Sequence, residues 1–142
     1  MLMSTYSHSL DAKGRLIIPA KIREELGEGF VITKNLDRCL SIYPKEKWDQ
    51  LIAAMDALPK ISSEPARRLR RIYFGNSSIP EPDKQGRIII PQDLRKYASL
   101  EKDVTLVGVD DHVEIWDAAT WQAYNDSADL SDIEYNLGGI NL

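Results

Sequence analysis

Between Arg15 and Gly27 the spacing of apolar positions changes once, and the change marks two elements. Arg15-Leu16-Ile17-Ile18 is a nearly unbroken apolar run rich in β-branched residues, which predicts a short strand buried on both faces. Pro19 halts it and suits the first turn of a helix, which runs through Ile22 and Leu26 to a stop at Gly27. Upstream, a short polar strand over residues 6–10 meets the turn Asp11-Ala12-Lys13-Gly14. Gly14 supplies the positive φ that tight turns need, and Asp11 can bond its side chain to the turn backbone. Two further strands, over 30–33 and 40–43, flank the turn Leu36-Asp37-Arg38-Cys39. Beyond Pro44 the pattern becomes helical: Trp48, Leu51, Ile52, Met55 and Leu58 recur on one face up to Pro59. A second helix opens at Ser63-Glu64-Pro65, with Leu69, Ile72 and Tyr73 on its apolar side.

The pattern then repeats. DKQGRIIIPQDLR, from Asp83, restates DAKGRLIIPAKIR, from Asp11, 72 positions (83 − 11) further on. After it, the segment holding Asp37, Tyr43 and Trp48 returns as Asp110, Trp116 and Trp121, 73 positions on, so one residue has been added in the second copy. Copy two is expected to place strands over 87–90, 104–107 and 113–116. A short helix follows it, capped by Asp117 and packed through Trp121 and Tyr124. Residues 126–142 are acidic, carry a Gly-Gly pair and are expected to attach loosely. A unit of about 45 residues buries too little surface to stand alone, so the two copies should pack about a pseudo-twofold axis. The chain divides into copy one (5–47), a helical connector (48–75), copy two (76–119), and a last helix end with acidic tail (120–142).

Charge adds an asymmetry. The 142 residues carry a net −4, yet residues 1–75 hold 13 Lys and Arg against 9 Asp and Glu (13 − 9 = +4). Residues 76–142 hold 5 against 13 (5 − 13 = −8), so only the first half suits a phosphate-bearing partner. No run of about 18 apolar residues predicts a transmembrane helix, and MLMSTYSHSL lacks the pattern of a secretory signal. A lone cysteine, Cys39, fits a reducing cytosol.

The turn carries the candidate chemistry. A hairpin tip with Lys13 and Arg15 on either side of a glycine fits the major groove, where arginine can bond guanine O6 and N7. Lys21 and Arg23, at the start of the next helix, can hold phosphates. The plain alternative is a solvated turn, the commoner fate of basic residues. Copy two keeps Asp83, Gly86, Arg87 and Arg95 but has Gln85 for Lys13 and Asp93 for Lys21, so its contact with a nucleic acid should be the weaker one. Four arginines within Arg67-Arg71 spread around a helix and cannot all face one ligand; some should pair with acids of the C-terminal half or of a neighbouring subunit. An enzyme is the main rival class. His8 and His112 stand at non-equivalent places, His112 beside Asp110-Asp111 reads as a turn residue, and no Cys/His spacing suggests zinc. No catalytic constellation, metal set or cofactor motif emerges. A third class is an assembly module or the DNA-binding antitoxin half of a toxin–antitoxin pair.

With YPKEKW after copy one and ARRLRRIYFG between the copies, the doubled phrase resembles the MraZ family, bacterial regulators built from two SpoVT-AbrB domains. The resemblance implies an α+β fold with a mainly β core. Tandem AbrB-like swapped-hairpin (double-split β-barrel) repeats would form a pseudo-dimer with flanking helices. It further implies a sequence-specific, double-stranded-DNA-binding repressor of the cell-division and cell-wall gene cluster, including its own gene. Such a protein would bind promoter direct repeats as a homo-oligomeric ring, in the cytoplasm at the nucleoid, with no membrane, small-molecule substrate or cofactor. Its contact residues map onto Lys13 and Arg15, with Arg87 weaker; Lys21 and Arg23, from their place after Pro19, would assist at phosphates. Asp11, Gly14, Asp83 and Gly86 would shape the two hairpins.

Overall fold

The computed structural model describes residues 1–58 and 63–139. Copy one supplies β1 (Thr5–Ser9), β2 (Arg15–Ile17), α1 (Ala20–Leu26), β3 (Val31–Lys34) and β4 (Leu40–Tyr43). Helices α2 (Lys45–Asp56) and α3 (Glu64–Gly75) lead to copy two, with β5 (Arg87–Ile89), α4 (Gln92–Tyr97), β6 (Asp103–Gly108) and β7 (Val113–Asp117). Two helices close the chain, α5 (Ala118–Asp126) and α6 (Leu130–Asn136). The fold is α+β, with antiparallel strand pairing throughout. The helix stop expected at Pro59 lies outside the described residues.

Strand pairing runs between the copies as much as within them. One sheet has the order β1-β6-β7-β4-β3, and a second is the two-stranded ribbon β2-β5. The ribbon is centred on Leu16 opposite Ile88, and β4 meets β7 with Ser41 opposite Glu114. Each of these pairs joins equivalent positions of the repeat, as a twofold axis through both layers requires. The core fills the space between the layers. Leu16, Ile18, Ile88 and Ile90 descend from the ribbon, Ile32, Ile42, Leu106 and Ile115 rise from the large sheet, and Ile22, Leu26 and Leu94 close the sides from α1 and α4. Each ribbon side chain so buried contributes about 1.5–3 kcal/mol. A second cluster covers the outer face, where Val31, Tyr43 and Trp48 meet Leu51, Ile52, Tyr73 and Phe74 of α2 and α3.

The register corrects several expectations. Tyr6 pairs with Leu106 while Ser78 bridges Ile32, so the first strands correspond at 72 positions but β3 and β6 at 74 (106 − 32). Lys34–Leu40 and Gly108–Val113 close the two hairpins, returning the offset to 73 at β4 and β7 (113 − 40). Two residues were therefore gained before β6 and one lost from its hairpin, where sequence matching showed a single addition. In the place of β1, copy two has only the Ser78 bridge among the described residues. Pro80 and Pro82 follow at once, and a proline lacks the N–H a strand ladder needs. The described part of the tail, expected to attach loosely, contains α6, started by Asp129, whose carboxylate accepts from the Ser131 N–H at 2.9 Å. No residue of α6 is buried.

Candidate nucleic-acid interface

Each turn is built by its aspartate. Asp11 Oδ1 accepts the backbone N–H groups of Lys13 and Arg15, both at 2.9 Å, and the Gly14 N–H reaches the Asp11 carbonyl at 3.0 Å. Arg15 Nε donates to Asp11 Oδ2 at 2.6 Å. Copy two reproduces the device: Gln85 and Arg87 N–H groups on Asp83 Oδ1 at 2.9 Å, and Arg87 Nε on Oδ2 at 2.7 Å. The backbone N–H of Arg15 is the main cause that holds the Asp11 carboxyl below its ordinary value, and that of Arg87 does so for Asp83. The carboxylates are therefore charged where the turns operate. Because Nε is the bonded edge, Nη1 and Nη2 of each arginine stay available for a planar, two-acceptor partner.

The turns do not form hairpins of their own. β1 runs into the large sheet against β6, while β2 crosses to pair with β5 of the other copy. The expected two-stranded ribbon exists, but one strand comes from each copy, and the two turns lie at its opposite ends. The strand predicted to be buried on both faces is buried on one. Leu16 and Ile88 are fully covered, whereas Ile17 and Ile89 are 45% and 62% exposed. Alternation therefore gives the ribbon an outer face of Arg15, Ile17, Arg87 and Ile89. Lys13 is exposed at one end of it and Gln85 at the other.

Arg23 sits elsewhere than a simple phosphate contact would place it. Its Nε donates to the Ile18 carbonyl at 2.9 Å, and its guanidinium lies flat against Gly86, the turn glycine of copy two. A Cβ on Gly86 would come within 2.6 Å of the Arg23 Cζ. Arg95 does the same in mirror fashion, with Nε on the Ile90 carbonyl at 3.0 Å and its Cζ 2.8 Å from a Cβ built on Gly14. The Ile18 N–H also bonds the Gly86 carbonyl at 3.0 Å, and the Ile90 N–H that of Gly14 at 2.9 Å. Each turn is thus finished by the arginine of the opposite copy. Sequence reading missed this role for Arg95; the signal was that Arg23 and Arg95 both persist where the neighbouring lysine was lost. Lys21 is exposed on α1, and its copy-two counterpart Asp93 is exposed on α4.

Two arginines of the α3 cluster, Arg68 and Arg70, take partners in the connector. Arg68 meets Glu64 at 3.0 Å, and Arg70 meets Asp56 at 3.1 Å while lying over the Phe74 ring. Around the second pseudo-twofold contact, His112 is held between Asp111 (2.7 Å) and Glu114 (3.1 Å), and Glu114 also accepts from Trp116 Nε1 and Asn35 Nδ2. Cys39 is fully buried there, and burial pushes its thiol up, away from nucleophilic use. Among the described residues no cluster of His, Cys, Asp and Glu could hold a metal ion.

Comparison with known proteins bears on the doubled architecture. The family model described as "MraZ protein, putative antitoxin-like" matches twice, over residues 1–72 and 73–136. The chain belongs to the MraZ family. Its relatives include the protein named Transcriptional regulator MraZ of a Thermoanaerobacter species, 46% identical with both chains covered completely. Proteins of the same name from Acetivibrio thermocellus and Heliobacterium modesticaldum are each 48% identical, over 92% and 90% of this chain and 91% and 89% of theirs. The MraZ match spans both turns, so the ribbon between them lies wholly inside the family's own architecture. No helix among the described residues is long and apolar enough to cross a membrane.

Proposed function

We propose that this protein is a sequence-specific, double-stranded-DNA-binding transcription regulator that reads its operator with the β2-β5 ribbon. The observation that carries the reading is the pair of aspartate-braced arginines, Arg15 and Arg87, on the exposed face of a two-stranded ribbon. Such a ribbon fits the major groove, about 12 Å wide, and an arginine steadied through Nε offers its terminal amines to guanine O6 and N7. Lys13 at one tip of the ribbon and, at its other end, Lys21 on α1 add phosphate contacts, with Arg23 assisting beside Gly86. Arg87 makes the weaker contact, because the turn beside it has Gln85 where copy one has Lys13.

In this reading residues 5–47 and 76–119 are two SpoVT-AbrB-like copies folded together as a swapped-hairpin, double-split barrel. Support comes from the pairing of β2 with β5 and of β4 with β7 across the copies. The protein acts as a repressor of the cell-division and cell-wall gene cluster that includes its own gene, in the cytoplasm at the nucleoid. It assembles as a homo-oligomeric ring on promoter direct repeats. One ribbon makes few phosphate contacts and binds weakly at physiological salt, whereas several subunits on matched repeats gain about 10²–10⁴ in avidity. No catalytic step and no cofactor is assigned.

Fluorescence anisotropy with a labelled duplex from upstream of this gene tests the reading against a scrambled duplex at several salt concentrations. The native duplex should bind more tightly, Arg15→Ala should lose the preference, and Lys13→Ala should weaken both duplexes alike. Absence of binding near physiological salt would favour the alternative, an AbrB-like assembly or antitoxin-type interaction module.

A further inference from the structure

The outer face of the ribbon is not simply basic. Arg15 stands opposite Ile89 and Ile17 opposite Arg87, so two guanidiniums and two isoleucines alternate in a checkerboard. Ile17 and Ile89 are equivalent positions of the repeat, and both are exposed, at 45% and 62%. Copy two has glutamine and aspartate where copy one has Lys13 and Lys21, yet it kept isoleucine on the open face of the ribbon. Lone exposed apolar residues are ordinary. A symmetric pair of them, set between two braced arginines, calls for one occupant that offers acceptors and methyl groups side by side.

We infer that Ile17 and Ile89 are specificity-determining contacts for the 5-methyl groups of thymines flanking the bases read by Arg15 and Arg87. The inference rests on the proposed DNA reading and deepens it. Of the bases, thymine alone presents a methyl group in the major groove, and it does so beside the acceptors an arginine seeks. The spacing agrees: residues two apart on a strand are about 7 Å apart, about two base-pair steps along the duplex. A second copy of this chain fits the face less well, because two identical ribbons would set guanidinium against guanidinium. A duplex meets the same donors with acceptors and phosphate charge.

The test replaces every thymine of the upstream duplex by deoxyuridine, which removes only the methyl groups. Wild-type protein should bind the uracil duplex about 10- to 25-fold more weakly, from two methyl contacts worth about three- to fivefold each. The double variant Ile17→Ala/Ile89→Ala should bind both duplexes equally, at the strength of wild type on uracil, with circular dichroism and sedimentation velocity unchanged. Equal binding of both duplexes by wild type overturns the assignment while leaving the regulator reading intact. So does a double variant that still distinguishes them. A variant that sediments as a smaller species overturns it in favour of a contact between copies. If wild type prefers neither native duplex to a scrambled one, the DNA reading itself fails and this inference falls with it.

Discussion

At the scale of single residues, the turn glycines are fixed by two separate constraints. Gly14 and Gly86 have φ of +76° and +79°, and each also lies under a guanidinium from the other copy. An alanine at either position faces the left-handed backbone, at roughly 1–2 kcal/mol, and must also push an arginine aside. Gly14→Ala should therefore destabilise the protein in urea denaturation by more than the backbone term. In an Arg95→Ala background the same substitution should cost less, because the second constraint has gone. His112 sets a different expectation. The bond to Glu114 is the largest cause that raises its pKa above the ordinary value, with Asp111 assisting against burial. The folded value exceeds the unfolded one, so this stabilisation is complete below about pH 6.5 and is lost as the pH rises through the folded value. Urea midpoints should fall between about pH 6 and pH 9 in wild type, and His112→Gln should remove that component of the slope. Glu114 acts in the opposite sense: burial pushes it up, but the bonds from His112, Trp116 and Asn35 outweigh this and hold it low. Its share is lost only in acid.

At the scale of elements, how well the sequence could be read depended on whether an element's partners were local. Helix starts at Pro19, Ser63 and Asp117 were legible because capping is settled within a few residues; Asp117, for example, accepts from the Thr120 N–H at 3.0 Å. The aspartate turns were legible for the same reason. β2 and β5 misled, since an apolar run reports hydrophobicity but not which face will be covered, and Ile17 and Ile89 stayed outside. α6 was hidden by its acidic composition and the following glycines. The contacts of Arg23 and Arg95 with glycines of the opposite copy were illegible, because they exist only once β2 has paired with β5. That pairing also predicts where the elements are most vulnerable. Leu16→Ala removes a fully buried side chain from the middle of the ribbon and should cost about 2–5 kcal/mol by denaturant unfolding. Arg70→Ala, which breaks a partly exposed pair with Asp56, should cost less than about 1 kcal/mol.

At the scale of the whole molecule, neither copy owns its fold. Among the described residues β1 is paired only to β6, and β4 joins β7, so residues 1–75 and 76–142 each leave strand edges and core side chains open when separated. Expressed apart, the two halves should show no cooperative melting by circular dichroism at micromolar concentration; mixed, they should regain it. The pseudo-twofold is nevertheless imperfect. One end of the ribbon carries Lys13 with Asp93 on the adjoining helix α4, and the other carries Gln85 with Lys21 on α1. A protein with a true twofold is matched by a palindrome and cannot tell one direction along the double helix from the other. Uneven ends make this molecule an arrow: bound through its ribbon, it would have a head and a tail, and successive molecules would point the same way only where the sites beneath them do.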